Sequence, residues 1–296
     1  MPRHNVGHFK SDRAYAHFLS VYQSAMAGLP PISESINVPT SFGTVRAYRF
    51  DGPTSDPPVV VLPGRNASTP TWRGNIPALL EHRSVIAIDL LGEAGMSVQD
   101  KPITGPDDEA HWLDDALAGL GLQSAHLMGV SIGGWTAVNY AVRRQGRAAS
   151  LVLLDPVFTF APMPITSMVI SAAMFLPFPE SVQRWVFSWI GGGADVDTSV
   201  PETALISAAA KDYALRKAIP KLFTDAQLRS LDIPVLALIA GRSVMLDAAS
   251  AASRARKLLP RTQVELWPDA SHAINGEYPT EIAATAAAFW NKVDGN

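Results

Sequence analysis

The stretch from Gly129 to Gly133 has the sequence Gly-Val-Ser-Ile-Gly, and this G-x-S-x-G pattern constrains the fold more than any other part of the chain. It ends an apolar run that begins at Ser124 and is typical of a buried strand, and the residues after it are typical of a helix. A sharp turn between strand and helix strains its central residue, so glycines are required two positions before and after it. This context predicts that Ser131 presents its hydroxyl at a helix N-terminus, where it serves as a nucleophile.

The rest of the chain alternates strand and helix patterns around this turn. Apolar or alternating runs predict strands at 44–50, 58–62, 84–90, 125–130, 150–154, 233–240 and 263–267. Helical patterns cover 11–27, 72–82, 107–120, 132–145, 247–258 and 279–291. Continuous apolar runs are typical of parallel strands that are covered on both faces. The alternation therefore predicts an α/β protein with a doubly wound, mostly parallel sheet of about eight strands.

The alternation stops between Pro156 and Leu231, where the sequence favours helices interrupted by prolines. We therefore expect a core formed by residues 1–157 and 232–296, which includes the helix at 11–27, and an inserted helical cap at 158–231. Part of the cap is expected to line an acyl pocket, because pockets are mostly apolar. The cap is rich in methionine and aromatic residues, namely Met163, Met168, Met174, Phe175, Phe178, Trp185, Phe187 and Trp189.

The composition excludes several classes of function. The chain has no cysteine, which removes disulfides, thiolate nucleophiles and thiolate metal sites. A net charge of −3 without a basic stripe argues against a nucleic-acid partner. No metal-ligand spacing, phosphate loop or dinucleotide fingerprint is present, so no metal and no cofactor is predicted. The polar start, Met1 to Lys10, and the lack of a membrane-spanning run predict a cytoplasmic protein, and the oligomeric state is left open.

A serine hydroxyl needs a base that removes its proton as it attacks. In this architecture the base follows the nucleophile and the acid along the chain. His272 is the only histidine after Ser131, and it lies in a loop between the last predicted strand and the last predicted helix. Such a loop reaches the edge of the sheet where the serine is expected, so His272 is predicted to be the base.

With these features the chain resembles the α/β-hydrolase family over nearly its whole length, and within that family small bacterial carboxylesterases. The resemblance rests on Val59–Arg65, the turn at Ser131, the strand end Leu151–Pro156 and the loop of His272. It implies an α/β-hydrolase fold, and it implies that the backbone N–H groups of Arg65 and Ile132 form the oxyanion hole. The side chain of Arg65 is then either an exposed bystander or a guide for an anionic group of the substrate.

The acid of the expected triad has two candidates. Many family members place it three residues after the glycine that ends the seventh strand, and here that position holds Val244. Asp155 ends the sixth strand, where some relatives carry their acid, and Asp247 lies three residues beyond the usual position. Asp155 also suits a turn before Pro156, and Asp247 also suits a helix cap. We expect Asp155, with Asp247 as the alternative.

The function implied by the resemblance is a serine esterase that cleaves small-molecule esters with small or medium acyl chains through an acyl-enzyme and without a cofactor. Two alternatives remain at this point. The same machinery serves carbon–carbon bond hydrolysis, acyl transfer, perhydrolysis or a tailoring reaction on this fold. A protein of another class would bind a ligand and keep only a vestigial triad.

Overall fold

The computed structural model describes residues 5–53, 57–144, 146–172, 180–193, 197 and 200–295. Met174, Phe175 and Phe178 of the predicted cap lie outside these residues. The described strands are β1 (His8–Phe9), β2 (Glu34–Thr40), β3 (Gly43–Phe50), β4 (Val59–Leu62), β5 (Val85–Ile88), β6 (Val98–Gln99), β7 (Ala125–Val130), β8 (Ala148–Leu154), β9 (Tyr213–Ala214), β10 (Val235–Ala240) and β11 (Thr262–Trp267). The described α-helices are α1 (Asp12–Met26), α2 (Ile76–Leu80), α3 (Pro106–Gly119), α4 (Ile132–Arg143), α5 (Ile165–Ala172), α6 (Glu180–Ile190), α7 (Pro201–Asp212), α8 (Asp225–Arg229), α9 (Ala248–Leu258), α10 (Ile274–Glu277) and α11 (Pro279–Asp294).

The central sheet has the strand order β11-β10-β8-β7-β4-β5-β3-β2, and β6 pairs with the start of β3. All neighbours from β5 to β11 are parallel, whereas β3 is antiparallel to β5, β2 and β6. The prediction of a mostly parallel α/β sheet is therefore confirmed. The sequence did not reveal β2, because Pro39 and several exposed polar residues break its pattern. As an edge strand, β2 tolerates a proline that donates no hydrogen bond.

The parallel strands are apolar throughout because helices cover both faces of the sheet. In β4, Val60 and Leu62 pack into a core cluster that also holds residues of α3, α4 and α9. Val59 and Val61 point the other way, into a second cluster with residues of α1, α2, α7 and α11. Each of these side chains is fully buried, which contributes about 1.5–3 kcal/mol apiece.

The helix predicted at 72–82 is wrong in its extent. The chain instead forms a 3₁₀ turn at Thr69–Trp72 and the short helix α2, with Pro77 in its first turn. Proline lacks an N–H group and is tolerated only in the first turn of a helix, so the helix begins just before Pro77.

The predicted cap supplies helices α5 to α8, and α7 packs against α1. Leu205 and Ala208 of α7 share the second core cluster with Phe18 and Tyr22 of α1. The strands β1 and β9 pair next to them and tie the N-terminal segment to the end of α7. The division of the chain into a core and a cap at 158–231 stays a prediction. Among the described helices, none combines the length and the apolar character that crossing a bilayer requires.

Candidate active site

Ser131 stands at a sharp turn between β7 and α4. Its φ of 54° and ψ of −117° lie outside the regions that residues with a side chain normally occupy. A Cβ atom at Gly129 would lie 2.3 Å from the carbonyl carbon of Gly133, and one at Gly133 would lie 2.1 Å from the carbonyl oxygen of Leu62. The turn therefore requires both glycines of the G-x-S-x-G pattern. Strain of this kind, about 1–3 kcal/mol, is typical of functional sites.

The structure brings Ser131, His272 and Asp155 together. His272 Nε2 lies 3.0 Å from Ser131 Oγ, and His272 Nδ1 lies 2.6 Å from Asp155 Oδ2. Asp155 is fully buried, whereas Ser131 and His272 keep 8% and 9% of their surface exposed. With its proton on Nδ1 and donated to Asp155, the imidazole offers the lone pair of Nε2 to the serine hydroxyl. This arrangement can remove the proton of an attacking serine.

Asp155 and Asp247, the two candidate acids, have different places in the structure. Asp155 follows β8 directly, with a φ of 42°, and its carboxylate faces His272. Asp247 is the exposed N-cap of α9, and its Oδ1 accepts a hydrogen bond from the backbone N–H of Ser250 at 2.7 Å. The hydrogen bonds from Ser250 lower the pKa of Asp247. The structure thus leaves Asp247 with the capping role and sets Asp155 against the histidine.

Ser243 is a residue of the site that the sequence analysis missed. Its hydroxyl donates to Asp155 Oδ2 at 2.6 Å, and the backbone N–H of Ala240 donates to Oδ1 at 3.1 Å. Ser243 lies just after β10 and immediately before Val244, the position from which many family members supply the acid. A short polar residue next to that position was the available signal. Ser243 and Ala240 together fix the carboxylate that holds the histidine.

The loop that carries His272 is fixed by Glu277 at its far end. Glu277 accepts hydrogen bonds from the backbone N–H of Ser271 at 2.8 Å and from the Ser271 hydroxyl at 2.6 Å. The same hydroxyl oxygen accepts the backbone N–H of Ala273 at 3.1 Å. Neither Ser271 nor Glu277 belongs to a recognisable motif, so their role could not be predicted from the sequence.

Ile132 directly follows the nucleophile, and Arg65 directly follows Gly64, whose backbone lies next to Ser131. A Cβ atom on Gly64, the residue before Arg65, would lie 3.5 Å from the Cβ of Ser131, which is ordinary van der Waals contact. Ile132 is the first residue of α4, and the first four N–H groups of a helix have no partner within it. The positive end of the helix therefore lies at Ser131, where it favours negative charge.

The side chain of Arg65 is partly buried and has a partner. Its Nη1 lies 2.8 Å from Oε1 of Glu93, whose side chain is 1% exposed. The backbone N–H of Asn66 donates to the other carboxylate oxygen at 3.4 Å. Of the two expectations for this side chain, an exposed bystander does not describe what is seen. Glu93, which the sequence analysis missed, holds both Arg65 and the residue that follows it.

A cavity of about 130 Å³ opens beside Arg65 and Ile132. Its described lining includes residues 217–221 of the predicted cap and none of the methionine or aromatic residues of that cap. Trp135 of α4 is the aromatic residue that it contains. The described residues hold no group of three or more His, Asp or Glu that could bind a metal ion.

Comparison with known sequences identifies a family and named relatives. The sequence profile of the Alpha/beta hydrolase family matches residues 59–285. A Bacillus subtilis protein named uncharacterized carboxylesterase nap is 26% identical over 94% of this chain and 93% of its own length. The carboxylesterase YbfK of the same organism is 27% identical over 92% of this chain and 93% of its own length.

Solved structures of two Bacillus subtilis carboxylesterases are similar along almost the whole chain. The crystal structure of naproxen esterase (carboxylesterase NP) from Bacillus subtilis matches 95% of this chain and 99% of its own, with a TM-score of 0.86 and 25% identity. The structure of carboxylesterase CesB (YbfK) matches 94% of this chain and 98% of its own, with a TM-score of 0.86 and 26% identity.

Proposed function

The chain belongs to the alpha/beta hydrolase family, and from this premise we propose that it is a carboxylic ester hydrolase that works through Ser131, His272 and Asp155. The carboxylesterase relatives, which match more than nine tenths of the chain, support this reaction over the other chemistries of the fold. The observation that carries the assignment of residues is the unbroken series of contacts from Asp155 through His272 to Ser131.

In the first half of the reaction, His272 Nε2 takes the proton of Ser131 as its Oγ forms a bond to the ester carbonyl carbon. The carbonyl oxygen becomes negative and accepts hydrogen bonds from the N–H groups of Arg65 and Ile132. One donor of this kind typically contributes about 10²–10³ in rate. The intermediate then breaks the bond to the alcohol oxygen, and His272 returns the proton to that oxygen, which leaves an acyl-enzyme.

In the second half, His272 takes a proton from water, and the water oxygen attacks the acyl carbonyl carbon. The bond to Ser131 Oγ breaks, the serine recovers the proton, and the acid leaves. Asp155 accepts the hydrogen bond of His272 Nδ1 in both halves, which fixes the tautomer and stabilises the imidazolium that forms twice per cycle.

A fluorophosphonate probe tests the proposed nucleophile and base directly. We expect the probe to label Ser131 in the native protein and to label neither Ser131→Ala nor His272→Ala. Ser150→Ala is the matched control, because Ser150 is a buried serine that bonds a different histidine. Labelling that survives in Ser131→Ala would overturn the assignment, and tight ligand binding without labelling or turnover would instead indicate a receptor.

The proposed substrates are esters of small or medium acyl groups, since the cavity beside Arg65 and Ile132 holds only about 130 Å³. A series of p-nitrophenyl esters of increasing acyl length measures this preference. We expect kcat/KM to rise and then fall within short to medium chains. Faster turnover of long, aggregated lipids would contradict the proposal.

A further inference from the structure

The cavity beside the proposed oxyanion hole has two ion pairs in its wall. Arg65 Nη1 lies 2.8 Å from Glu93 Oε1, and Lys217 Nζ lies 2.8 Å from Glu109 Oε1. We propose that this cavity binds an anionic group of the ester, so that the enzyme prefers substrates that carry a carboxylate within a few bonds of the scissile carbonyl. This inference rests on the proposed function and names the substrate class of that site.

The acceptors in the wall are already occupied. Glu109 pairs with Lys217 through Oε1 and accepts the indole N–H of Trp112 through Oε2 at 2.8 Å. Glu93 pairs with Arg65 through Oε1 and accepts the backbone N–H of Asn66 through Oε2. Each carboxylate oxygen therefore has a donor, and the charge of each carboxylate is compensated by a cation in the same wall.

The donors in the wall are only partly used. The ammonium group of Lys217 has three N–H groups, and its described hydrogen bonds are with Glu109 and with the carbonyl oxygen of Leu91 at 2.9 Å. The ring centre of Trp112 lies 6.0 Å from the same nitrogen. The guanidinium of Arg65 has five N–H groups, and its described side-chain contact is with Glu93. The surplus of donors favours a ligand that accepts hydrogen bonds, and a carboxylate accepts them best.

The charge of the lining points the same way. The cavity is lined by three basic residues, Arg65, Lys217 and Lys221, and by two acidic ones, Glu93 and Glu109, so its formal charge is positive by one unit. Lys221 is exposed at the rim. The remaining wall includes the apolar side chains of Ile103, Ile132, Trp135 and Ile219. Such a site accommodates a short carbon chain that ends in a negative charge.

Two matched pairs of esters test this inference. On the acyl side, monomethyl succinate is compared with methyl isocaproate, in which two methyl groups replace the carboxylate oxygens. On the alcohol side, acetoxyacetate is compared with isobutyl acetate, in which two methyl groups again replace the carboxylate oxygens. Hydrolysis is followed by the base that neutralises the released acid. The measured quantity is the ratio of kcat/KM for the charged ester to kcat/KM for the neutral one.

We expect the charged ester of at least one pair to be preferred about tenfold, the effect of one charge-assisted hydrogen bond. Lys217→Met should lower this ratio about tenfold or more, and Lys221→Met about threefold because its charge is exposed to solvent. Arg216→Met is the matched control, since Arg216 is an exposed cation in the same segment that does not line the cavity. It should change the ratio less than twofold.

Three results would overturn the inference. One is a preference for the neutral ester in both pairs, and another is a ratio that Lys221→Met and Arg216→Met change equally. If Lys217→Met does not fold, the exposed Lys221 decides, because its replacement leaves the ion pair with Glu109 in place. The third result is an enzyme that hydrolyses none of the esters and is not labelled by the fluorophosphonate. That result removes the proposed function as well, whereas the first two leave it standing.

Discussion

At each of the two ends of the strands β7 and β8, a serine, a histidine and an aspartate lie together. The carboxyl end holds the candidate triad. At the amino end, His126 Nδ1 lies 2.8 Å from Ser150 Oγ, and His126 Nε2 lies 3.5 Å from Asp294 Oδ2. The residue types and the order of contact are the same in both sets. The comparison therefore shows what a catalytic site needs beyond its residue types.

The three residues at the amino end differ from the candidate triad because the serine and histidine are shielded from solvent and the aspartate already has a cationic partner. His126 and Ser150 are fully buried, and the ring of Trp290 stacks on His126 with 5.4 Å between ring centres. The guanidinium of Arg83 pairs with Asp294, so the carboxylate is already compensated. Burial, together with the positive charge of Arg83, lowers the pKa of His126 to about 4. Ser150 lies within strand β8, next to an irregularity in its pairing with β7, whereas the backbone lifts Ser131 out of β7 into a turn with positive φ.

The largest difference between the two ends is expected when each serine is replaced by alanine. Ser131→Ala removes the bond-forming oxygen, and we expect kcat to fall by about 10⁴–10⁶ with little change in the free energy of unfolding. Ser150→Ala leaves a buried histidine nitrogen without its partner, and we expect it to cost about 1–3 kcal/mol of stability with kcat changed by less than threefold. Esterase assays and urea unfolding of both variants measure this. A large loss of kcat in folded Ser150→Ala would show that the two ends do not differ as described.

The acid gives the next largest expected effect. Asp155→Asn no longer favours the required histidine tautomer, and we expect kcat to fall about 10⁴-fold. Asp247→Asn is the matched control, because asparagine also caps helices well and should leave kcat within about twofold. Steady-state kinetics on a p-nitrophenyl ester distinguishes the two. Full activity in Asp155→Asn would require a different partner for His272.

The buried His126 should make stability depend on pH in a definite window. Its pKa is about 4 in the folded protein and near 6.5 in the unfolded chain, so acid protonates the unfolded state first. Above about pH 6.5 both states are neutral and this contribution to stability is complete. This contribution is lost as the pH falls from about 6.5 towards about 4. Between pH 7 and pH 5 the free energy of unfolding falls by about 2 kcal/mol for this reason.

His126→Gln, which keeps a polar group beside Ser150, tests this contribution. From pH 7 to pH 5, we expect the free energy of unfolding, measured with urea, to fall by about 2 kcal/mol more in the native protein than in the variant. His82→Gln, at a histidine exposed to solvent, should behave like the native protein. If the native protein and His126→Gln lose the same free energy, His126 is protonated in the folded state.

Ser243 should give the smallest effect, because it acts on the triad through Asp155. Ser243→Ala removes one hydrogen bond from the carboxylate, and we expect kcat to fall about threefold to tenfold with KM unchanged. Ser243→Thr keeps the hydroxyl and should recover most of the loss. Ser230→Ala, which removes a surface hydroxyl bonded to Gln227, is the control. A matching loss in Ser230→Ala would mean that the effect is not specific to Asp155.

The parts of the fold that depend on local sequence were accessible from the sequence alone. Alternating apolar runs and helices predicted the parallel sheet, because a strand covered on both faces must be apolar at every position. The glycines around Ser131 predicted the strained turn, because no side chain fits there. The edge strand β2 and the break in the helix predicted at 72–82 were missed, since their patterns are weak and proline sets their limits.

The contacts of the site depend on residues that are distant in the chain, and only the tertiary structure decided them. The sequence by itself determined Ser131 as the strained residue and His272 as the one histidine that follows it. It favoured Asp155 and kept Asp247 as an alternative, because both follow predicted strands. The fold set Asp155 against His272 at 2.6 Å and used Asp247 to cap α9, and it placed Ser243 and Glu93 on groups from which they are separated by 88 and 28 residues. Local patterns record backbone geometry, whereas the direction in which a side chain meets a distant partner is fixed by how the sheet and its loops pack.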